Sequence, residues 1–419
     1  MTNRPSSPPV RNPKSEIPNP EAVRLRRDIS RSIRSGHPWV WRESLAASSG
    51  LPPGAVVDVA NPAGGFVARG LWDPASPIAL RVLTLDPSES VDRGLVLDRF
   101  RRAAALREGA VDAAVTNAWR VVHGEADRLP GIVCDRYAGV AVLRFDGAGP
   151  AALRTWAVQA ALELPGVVTV VERPFRRAAA GGDACRGRVL AGPPPPRPLV
   201  VRENGMLLEA DVLAGQKTGL FLDQRENRAL VRSLARGRRV LDLFAYTGGF
   251  STAAAIGGAA AITAVDLSRR AIEAARRNLA LNGFPPGPDR ALVAADVFAF
   301  LARAVRSGER WDLVVVDPPS FAPSRAAVGR AVESYRRLNA AALRAVAPGG
   351  LLLTCSCSSH VGDEVFLRAI RSAASDAGVR VRIVEVRGAG PDHPVVPFFP
   401  EGRYLKAVLI DVAAAGRRR

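Results

Sequence analysis

The chain has 419 residues and a formal net charge of +18 at pH 7, too long for one hydrophobic core, so two or three domains are expected. No uninterrupted apolar run reaches the ~18 residues that a membrane helix needs. Residues 1–20 carry Pro, Ser, Asn and charge without an apolar stretch, which reads as a disordered tail and not a signal peptide, so a cytoplasmic protein without a membrane partner is expected. The charge is almost all arginine, the only lysines being Lys14, Lys217 and Lys406. Arginine with alanine richness follows from genome composition, but a basic excess this large is also what binding to a phosphate backbone requires, DNA or RNA alike. The cysteines, Cys134, Cys185, Cys355 and Cys357, form no disulfide framework and no CxxC pair. Cys355 and Cys357 share one face of a strand, and two rises of about 3.3 Å hold them too far apart to bridge.

Residues 21–83 read as short strands with turn punctuation. Val56–Val59 and Phe66–Gly70 alternate, with Pro-Pro-Gly, Asn-Pro and Gly-Gly between them, which predicts a small β-barrel-like domain over 21–90. Gly36-His37-Pro38-Trp39-Val40 and the later DPASPIALRVL resemble a PUA domain, a small RNA-binding fold. Trp39 and Trp41 are read either as interface aromatics or as base-stacking residues. Arg24, Arg26, Arg27, Arg31 and Arg34 are read either as a solvated face or as phosphate contacts, with Arg24 and Arg26 assigned to RNA.

A second, α+β unit is expected over 91–198. Leu95–Glu108 has helical spacing, RLPGIVCDRYAGVAVLRF reads as two strands turning at Ala138-Gly139, Leu153–Leu164 as a helix and Val167–Val171 as a strand. His123, Glu125 and Asp127 are too sparse for a metal site, and no metal is expected. Ala178–Arg197, with Gly-Gly and four prolines in a row, reads as a linker.

From about 199 onward the pattern becomes strand, loop, helix. Leu207–Val212 is a loose strand, followed by GQKTGLFLDQRENR, where dense glycine, amide and charge before a helix make a binding loop containing Lys217 and Arg225. RVLDLFAYTGGFS then gives a buried strand to Asp242, a turn over Phe244, Ala245, Tyr246, Thr247 and Gly248, and an alanine-rich helix. The next strand ends at Asp266-Leu267, a third near Asp296-Val297, and a fourth, WDLVVV, runs into Asp317-Pro318-Pro319-Ser320-Phe321. An acid about twenty residues past the first loop suits a ribose, while GxGxxG and GxxxxGK[ST] are both missing, which disfavours a dinucleotide and a triphosphate. Tyr335–Val346 reads as a helix, Pro348-Gly349-Gly350 as a turn, Leu351–Thr354 as a strand entering Cys355-Ser356-Cys357-Ser358, and Val381–Val386 with Tyr404–Val412 as a last strand pair.

These loops and acids resemble the class I S-adenosylmethionine methyltransferases, which implies an α/β Rossmann-like domain over 199–419. By that resemblance the first loop holds the amino-acid end of S-adenosylmethionine, Asp266 the ribose, and Asp296 and Val297 the adenine. The ordered set GQKTGLFLDQRENR, VLDLFAYTGGFS, AVDLS, Asn278 with Leu281-Asn282-Gly283, DPPSF, PGG and TCSCSSH resembles the PUA-containing ribosomal RNA large-subunit cytosine-5 methyltransferases. The family implies Cys357 as nucleophile, Asp317 beside the target base, and large-subunit RNA, naked or in an assembly particle, as partner. Lys217, Arg225, Pro318, Phe321 and Trp39 are then assigned to the RNA, and Cys355 to packing. Ser320 stands where other RNA cytosine-5 methyltransferases carry a second cysteine, which leaves the group that removes the C5 proton open. Methylation of another base such as guanine, a non-catalytic RNA-binding assembly factor, and a homodimer also stay open.

Overall fold

Alternating valines close the first sheet. The computed structural model describes residues 21–46, 50–174 and 186–413, so the expected tail and Cys185 lie outside the described residues. Strands β1 (Ala22–Arg24), β2 (Trp39–Trp41), β3 (Val56–Ala60), β4 (Phe66–Trp72) and β5 (Ile78–Thr84) pair in the order β1-β3-β4-β5-β2. Val57, Val59, Val67 and Leu80 bury one face together with Ile33. Ile33 belongs to helix α1 (Ser30–Arg34), where only strands and turns were expected. Asp28 Oδ1 accepts the Ser30 amide at 2.9 Å, a local bond that turns the chain into helix before the strand can continue.

Helix α2 (Arg93–Glu108), capped by the Asp92 side chain, leads into the second sheet. Its members are β6 (Ala118–His123), β7 (Ile132–Tyr137), β8 (Val140–Phe145), β9 (Thr169–Glu172) and β10 (Arg188–Ala191), in the order β10-β9-β8-β7-β6. Helices α3 (Ala148–Ala151) and α4 (Arg154–Leu162) cross over between the parallel strands β8 and β9. Strand β10 replaces part of the expected linker. Val189 pairs with Val171, and the Arg188 guanidinium holds Glu172, so one side of an edge strand suffices for a segment whose flanks are Gly- and Pro-rich. Glu125 and Asp127 are structural acids here: Glu125 accepts from Trp39 and Arg81, and Asp127 from Arg107.

A hairpin, β11 (Leu199–Glu203) with β12 (Met206–Ala210), precedes the largest sheet. There α5 (Arg225–Leu234), β13 (Arg239–Leu243), α6 (Gly249–Ile256), β14 (Ala261–Asp266), α7 (Arg269–Leu281), β15 (Arg290–Ala294), α8 (Val297–Arg306), β16 (Trp311–Val316), α9 (Val328–Ala345), β17 (Val346–Ser356), α10 (Asp363–Ala377), β18 (Val381–Arg387) and β19 (Lys406–Val412) follow in turn. The strand order is β15-β14-β13-β16-β17-β19-β18, parallel except for β19, which runs against both its neighbours. Helices cover both faces, which is why the strands read as continuous apolar runs. The expected Pro348–Gly350 turn is an insertion inside β17: Val346 pairs with Trp311 but Leu351 with Leu313.

Buried ion pairs join the sheets. Arg225 is 2% exposed, and its guanidinium bonds both oxygens of Asp392 at 2.9 Å. It therefore has no free face for RNA, contrary to its sequence assignment; a guanidinium in a motif says nothing about which way it points. Asp392 also accepts the Arg120 amide of β6, and its carbonyl accepts from Arg107 of α2. Trp39 is likewise an interface aromatic: its Nε1–H donates to Glu125 at 2.8 Å and its ring lies 4.5 Å from that of Phe399. Breaking the Arg225–Asp392 pair strands a buried charge, so Arg225→Met is expected to lower unfolding free energy by about 3–5 kcal/mol. Urea denaturation reads this directly, and a change below about 0.5 kcal/mol contradicts the assignment.

Candidate active site

Strand order reverses at β13, whose neighbours are β14 on one side and β16 on the other, and the crevice opens at the carboxyl ends of these strands. Asp242 is 1% exposed; its Oδ2 accepts from Ser251 N at 3.0 Å and Ser251 Oγ at 2.6 Å, while Oδ1 is buried without a partner. The loop that follows is bent hard. Phe244 and Tyr246 have φ of 61° and 47°, a left-handed conformation that non-glycine residues keep only where surrounding contacts impose it. The contacts are present: Ala245 N donates to Val265 O at 3.0 Å and Tyr246 N to Asp266 Oδ2 at 2.9 Å. Asn278 of α7 donates to Thr247 O and accepts from Glu209 N, tying the loop to the hairpin. Gly248 has φ +74° and a Cβ there would meet Ala275 Cβ at 2.7 Å, so loop and α7 approach through glycine.

Asp266 also accepts the Ser268 amide, and beside it Leu267 is 75% exposed, an apolar surface at the strand end. Asp296 caps α8 through Ala299 N. The Val297 side chain is 3% exposed and packs in the core, so it is the main chain of this residue that is available to a ligand: the first residue of a helix turns its apolar group inward.

On the other side of the switch point, β16 runs into Asp317 and β17 into Cys357. Cys357 Sγ lies 3.8 Å from Pro318 O. Ser358 Oγ meets Ser320 Oγ and Tyr335 Oη at 3.0 Å each, and Ser356 Oγ donates to Tyr335 at 2.9 Å, so hydroxyls on both loops fix the cysteine turn against the Asp317 turn. Cys355 is fully buried in the core with Leu353 and Leu409. Pro318 is buried and Phe321 packs its ring 4.9 Å from Tyr335. Lys217 lies 3.7 Å from Asp223, while Arg24 on β1 and Arg26 just after it are exposed. The structure thus gathers Asp242, Asp266, Asp317, Cys357, Lys217, Pro318 and Phe321 along one edge, and leaves Arg225 and Trp39 outside it.

Three residues of this edge were absent from the sequence assignment. Asp223 accepts the Tyr404 hydroxyl at 2.6 Å and has a second oxygen buried without a partner. Gln224 is buried and hydrogen-bonds the Asp317 carboxyl. Asp223 and Gln224 stand in the FLDQR string, and that signal suffices to find them; nothing marks Tyr404, which follows the last loop.

Charge defines the crevice. Burial and the charges of Asp223 and Asp242 push Asp317 up to about 7. Burial, opposed by Ser251, pushes Asp242 up to about 7. Asp223 is held down at about 2, where burial is outweighed by Lys217, His393 and the Tyr404 bond. Burial raises Cys357 to about 11, opposed mainly by Lys217. Carboxylates with unpartnered buried oxygens, on a chain of net charge +18, suit a cationic ligand. S-adenosylmethionine, with an ammonium, a sulfonium and a ribose, fits that donor set.

Residues 176–410 match the family of S-adenosylmethionine-dependent methyltransferases, and residues 23–85 match the PUA-like domain. The chain belongs to the PUA-containing S-adenosylmethionine-dependent methyltransferases. It is 37% identical over 393 residues to the ribosomal RNA large subunit methyltransferase I of Shewanella denitrificans, covering 93% of this chain and 99% of that one. It is 39% identical over 407 residues to a ribosomal RNA large subunit methyltransferase of Deinococcus radiodurans, covering 94% and 99%. A SAM-dependent methyltransferase structure from Streptococcus mutans superposes with a TM-score of 0.82 over 94% of this chain and all of that one at 22% identity, a likeness of fold. A methyltransferase complexed with SAH superposes equally well. Among the described residues of this methyltransferase, no helix is long and apolar enough to cross a membrane.

The raised Asp242 gives the cofactor site a pH signature. Its folded value of about 7 exceeds the ordinary carboxylate value of 3.8, so the folded state keeps the proton between them and stability falls as pH rises through that window. A bound ammonium favours the ionised carboxylate instead. S-adenosylhomocysteine affinity is therefore expected to rise from about pH 5.5 to about pH 8, and Asp242→Asn to flatten the rise. Calorimetric titration at several pH values measures this; affinity of the wild type that does not change with pH speaks against an ammonium at Asp242.

Proposed function

We propose that the chain methylates C5 of a cytosine in large-subunit ribosomal RNA, with Cys357 as nucleophile and Asp317 as the group facing the base. The carrying observation is the row of Asp242, Asp317 and Cys357 at the carboxyl ends of the adjacent strands β13, β16 and β17. Neighbouring strands lie about 4.8 Å apart, so a methyl donor over β13 and a base over β17 come within reach of each other. The RNA target is supported by the names of the relatives, and exposed Arg24 and Arg26 support phosphate contact by the PUA-like segment.

Within this reading, residues 21–90 hold the RNA, 91–198 form a middle unit, and 199–419 carry the chemistry. S-adenosylmethionine supplies an electrophilic methyl group. C5 of cytosine is too weak a nucleophile to accept it unaided. Cys357 adds its sulfur pair to C6, a proton from Asp317 at N3 spreads the charge that develops, and the C5–C6 π pair forms the C5–CH3 bond while the donor's S–CH3 pair would stay on its sulfur, leaving S-adenosylhomocysteine. A carboxyl near 7 is suited to holding and returning such a proton at neutral pH. Loss of the C5 proton afterwards restores the double bond and returns the C6–S pair to Cys357. The Ser356, Ser358 and Tyr335 hydroxyls keep the thiol in place throughout.

Wild-type protein and Cys357→Ala, each given large-subunit RNA and labelled S-adenosylmethionine, test the reading. Labelled 5-methylcytidine is expected from the wild type, with at least a ~1000-fold loss in the variant. A methylated purine, or a variant as active as wild type, removes the nucleophile.

A further inference from the structure

Glu125 and Asp127 of the HGEAD string are held in ion pairs, whereas His123 of the same string lines a cavity. The cavity measures about 280 Å3 and lies where β6 of the second sheet meets the loop 388–405, which supplies Ala389, His393, Val395, Arg403 and Tyr404 to its wall. That is just below the ~300–1,000 Å3 of pockets for drug-sized ligands, and leaves room for one small planar group.

Two imidazoles give the wall its polarity. Their rings meet edge to face with centres 5.0 Å apart. Arg120 Nη1 lies 3.1 Å from His123 Nδ1, and a guanidinium only donates, so Nδ1 carries the lone pair and Nε2 the proton. His393 is the reverse. Its Nδ1 lies 3.1 Å from Asp392 Oδ1, a carboxylate oxygen that draws the proton to that side and leaves the lone pair on Nε2. His393 is 4% exposed, and its Nε2 has no hydrogen-bond partner among the described residues. Few buried polar atoms stay in that state without a ligand or a water to meet them.

The wall thus offers one donor and one acceptor on adjacent rings. A nucleobase edge presents the complementary pair, an N–H beside a carbonyl oxygen or a ring nitrogen. The rest of the wall suits the rest of a nucleotide. Tyr404 adds an aromatic ring and Val395, 49% exposed, an apolar side. Arg403 adds an exposed guanidinium, 3.2 Å from Asp363, of the planar kind that receives phosphate. Lys217 Nζ stands 5.4 Å from the Tyr404 ring centre, a second cation at this wall.

Tyr404 also ties the cavity to the thiol turn. Its carbonyl accepts from Lys406 Nζ at 2.8 Å, and the same ammonium donates at 2.7 Å to the carbonyl of Ser358, the residue after Cys357. Lys406 is 2% exposed and lies opposite Ser356 in the β17–β19 ladder, so the link is held at both ends.

Resting on the reading of large-subunit RNA as the substrate, we propose that this cavity is a second base subsite, which takes the base of a nucleotide beside the target cytosine, His123 donating to that base and His393 accepting from it. The two imidazoles then set the sequence preference next to the target, apart from the groups that carry the reaction.

Ultraviolet crosslinking of large-subunit RNA to the full chain, with the crosslinked peptides identified by mass, tests this. Wild type is expected to crosslink within 388–405 or at His123. Ala389→Leu fills the cavity and is expected to lose these crosslinks and to bind RNA about tenfold more weakly, with unchanged S-adenosylhomocysteine binding as the report on the fold. His123→Phe keeps the ring and removes the donor, and is expected to flatten the discrimination among RNAs altered at the nucleotides flanking the methylated one. Crosslinks that fall only elsewhere, or two variants that match wild type in RNA affinity and in flanking-base discrimination, overturn the subsite. Crosslinks at the cavity together with a methylated purine keep the subsite and remove the cytosine reading instead.

Discussion

The carboxylate of Asp392 is the constraint on which the rest of the molecule depends. It is 0% exposed, yet stays ionised because burial, which alone would raise its pKa, is outweighed by adjacent His393 and by the Arg225 guanidinium. A buried charge is tolerated only when its partners are complete. Here they come from three places: the Arg225 guanidinium at the start of α5, the Arg120 amide in β6, and Arg107 of α2 at the Asp392 carbonyl. The second sheet and the large sheet can therefore satisfy this group only in one relative placement. That placement brings the loop 388–405, with Tyr404 at its end, over the crevice, and Tyr404 meets Asp223 there.

A basic protein with an acidic crevice follows from the division of work between its surfaces. The arginine excess is spread over the outside, where exposed residues such as Arg24 and Arg26 suit a polyanion. The crevice holds Asp223, Asp242, Asp266 and Asp317, with buried oxygens left for a cation. The same acids resist a thiolate.

The large sheet was legible because its strands are buried on both faces and separated by glycine-bearing loops, so VLDLFAYTGG and WDLVVVDPP carry both the elements and the site at their ends. Asp242, Asp317 and Cys357 could be placed at the strand ends for that reason. Helix α1 and strand β10 were missed: the first depends on one Asp28–Ser30 bond and the second on pairing with β9, neither of which leaves a periodic pattern. Arg225 and Trp39 were read as RNA contacts because residue type alone does not distinguish an outward guanidinium or indole from one locked by a partner 167 or 86 positions away. Tyr404 and Lys406 join the site through the antiparallel return of β19, a tertiary event with no local signature.

The central claim is that Cys357 bonds to C6 of a cytosine. The most direct measurement is to incubate the protein, S-adenosylmethionine and large-subunit RNA transcribed with 5-fluorocytidine, then digest and locate any RNA adduct by mass. Fluorine at C5 leaves no proton to remove, so the account predicts a denaturation-resistant protein–RNA species carrying one methyl group, attached at Cys357. Turnover without such a species, or an adduct at another residue, would contradict it.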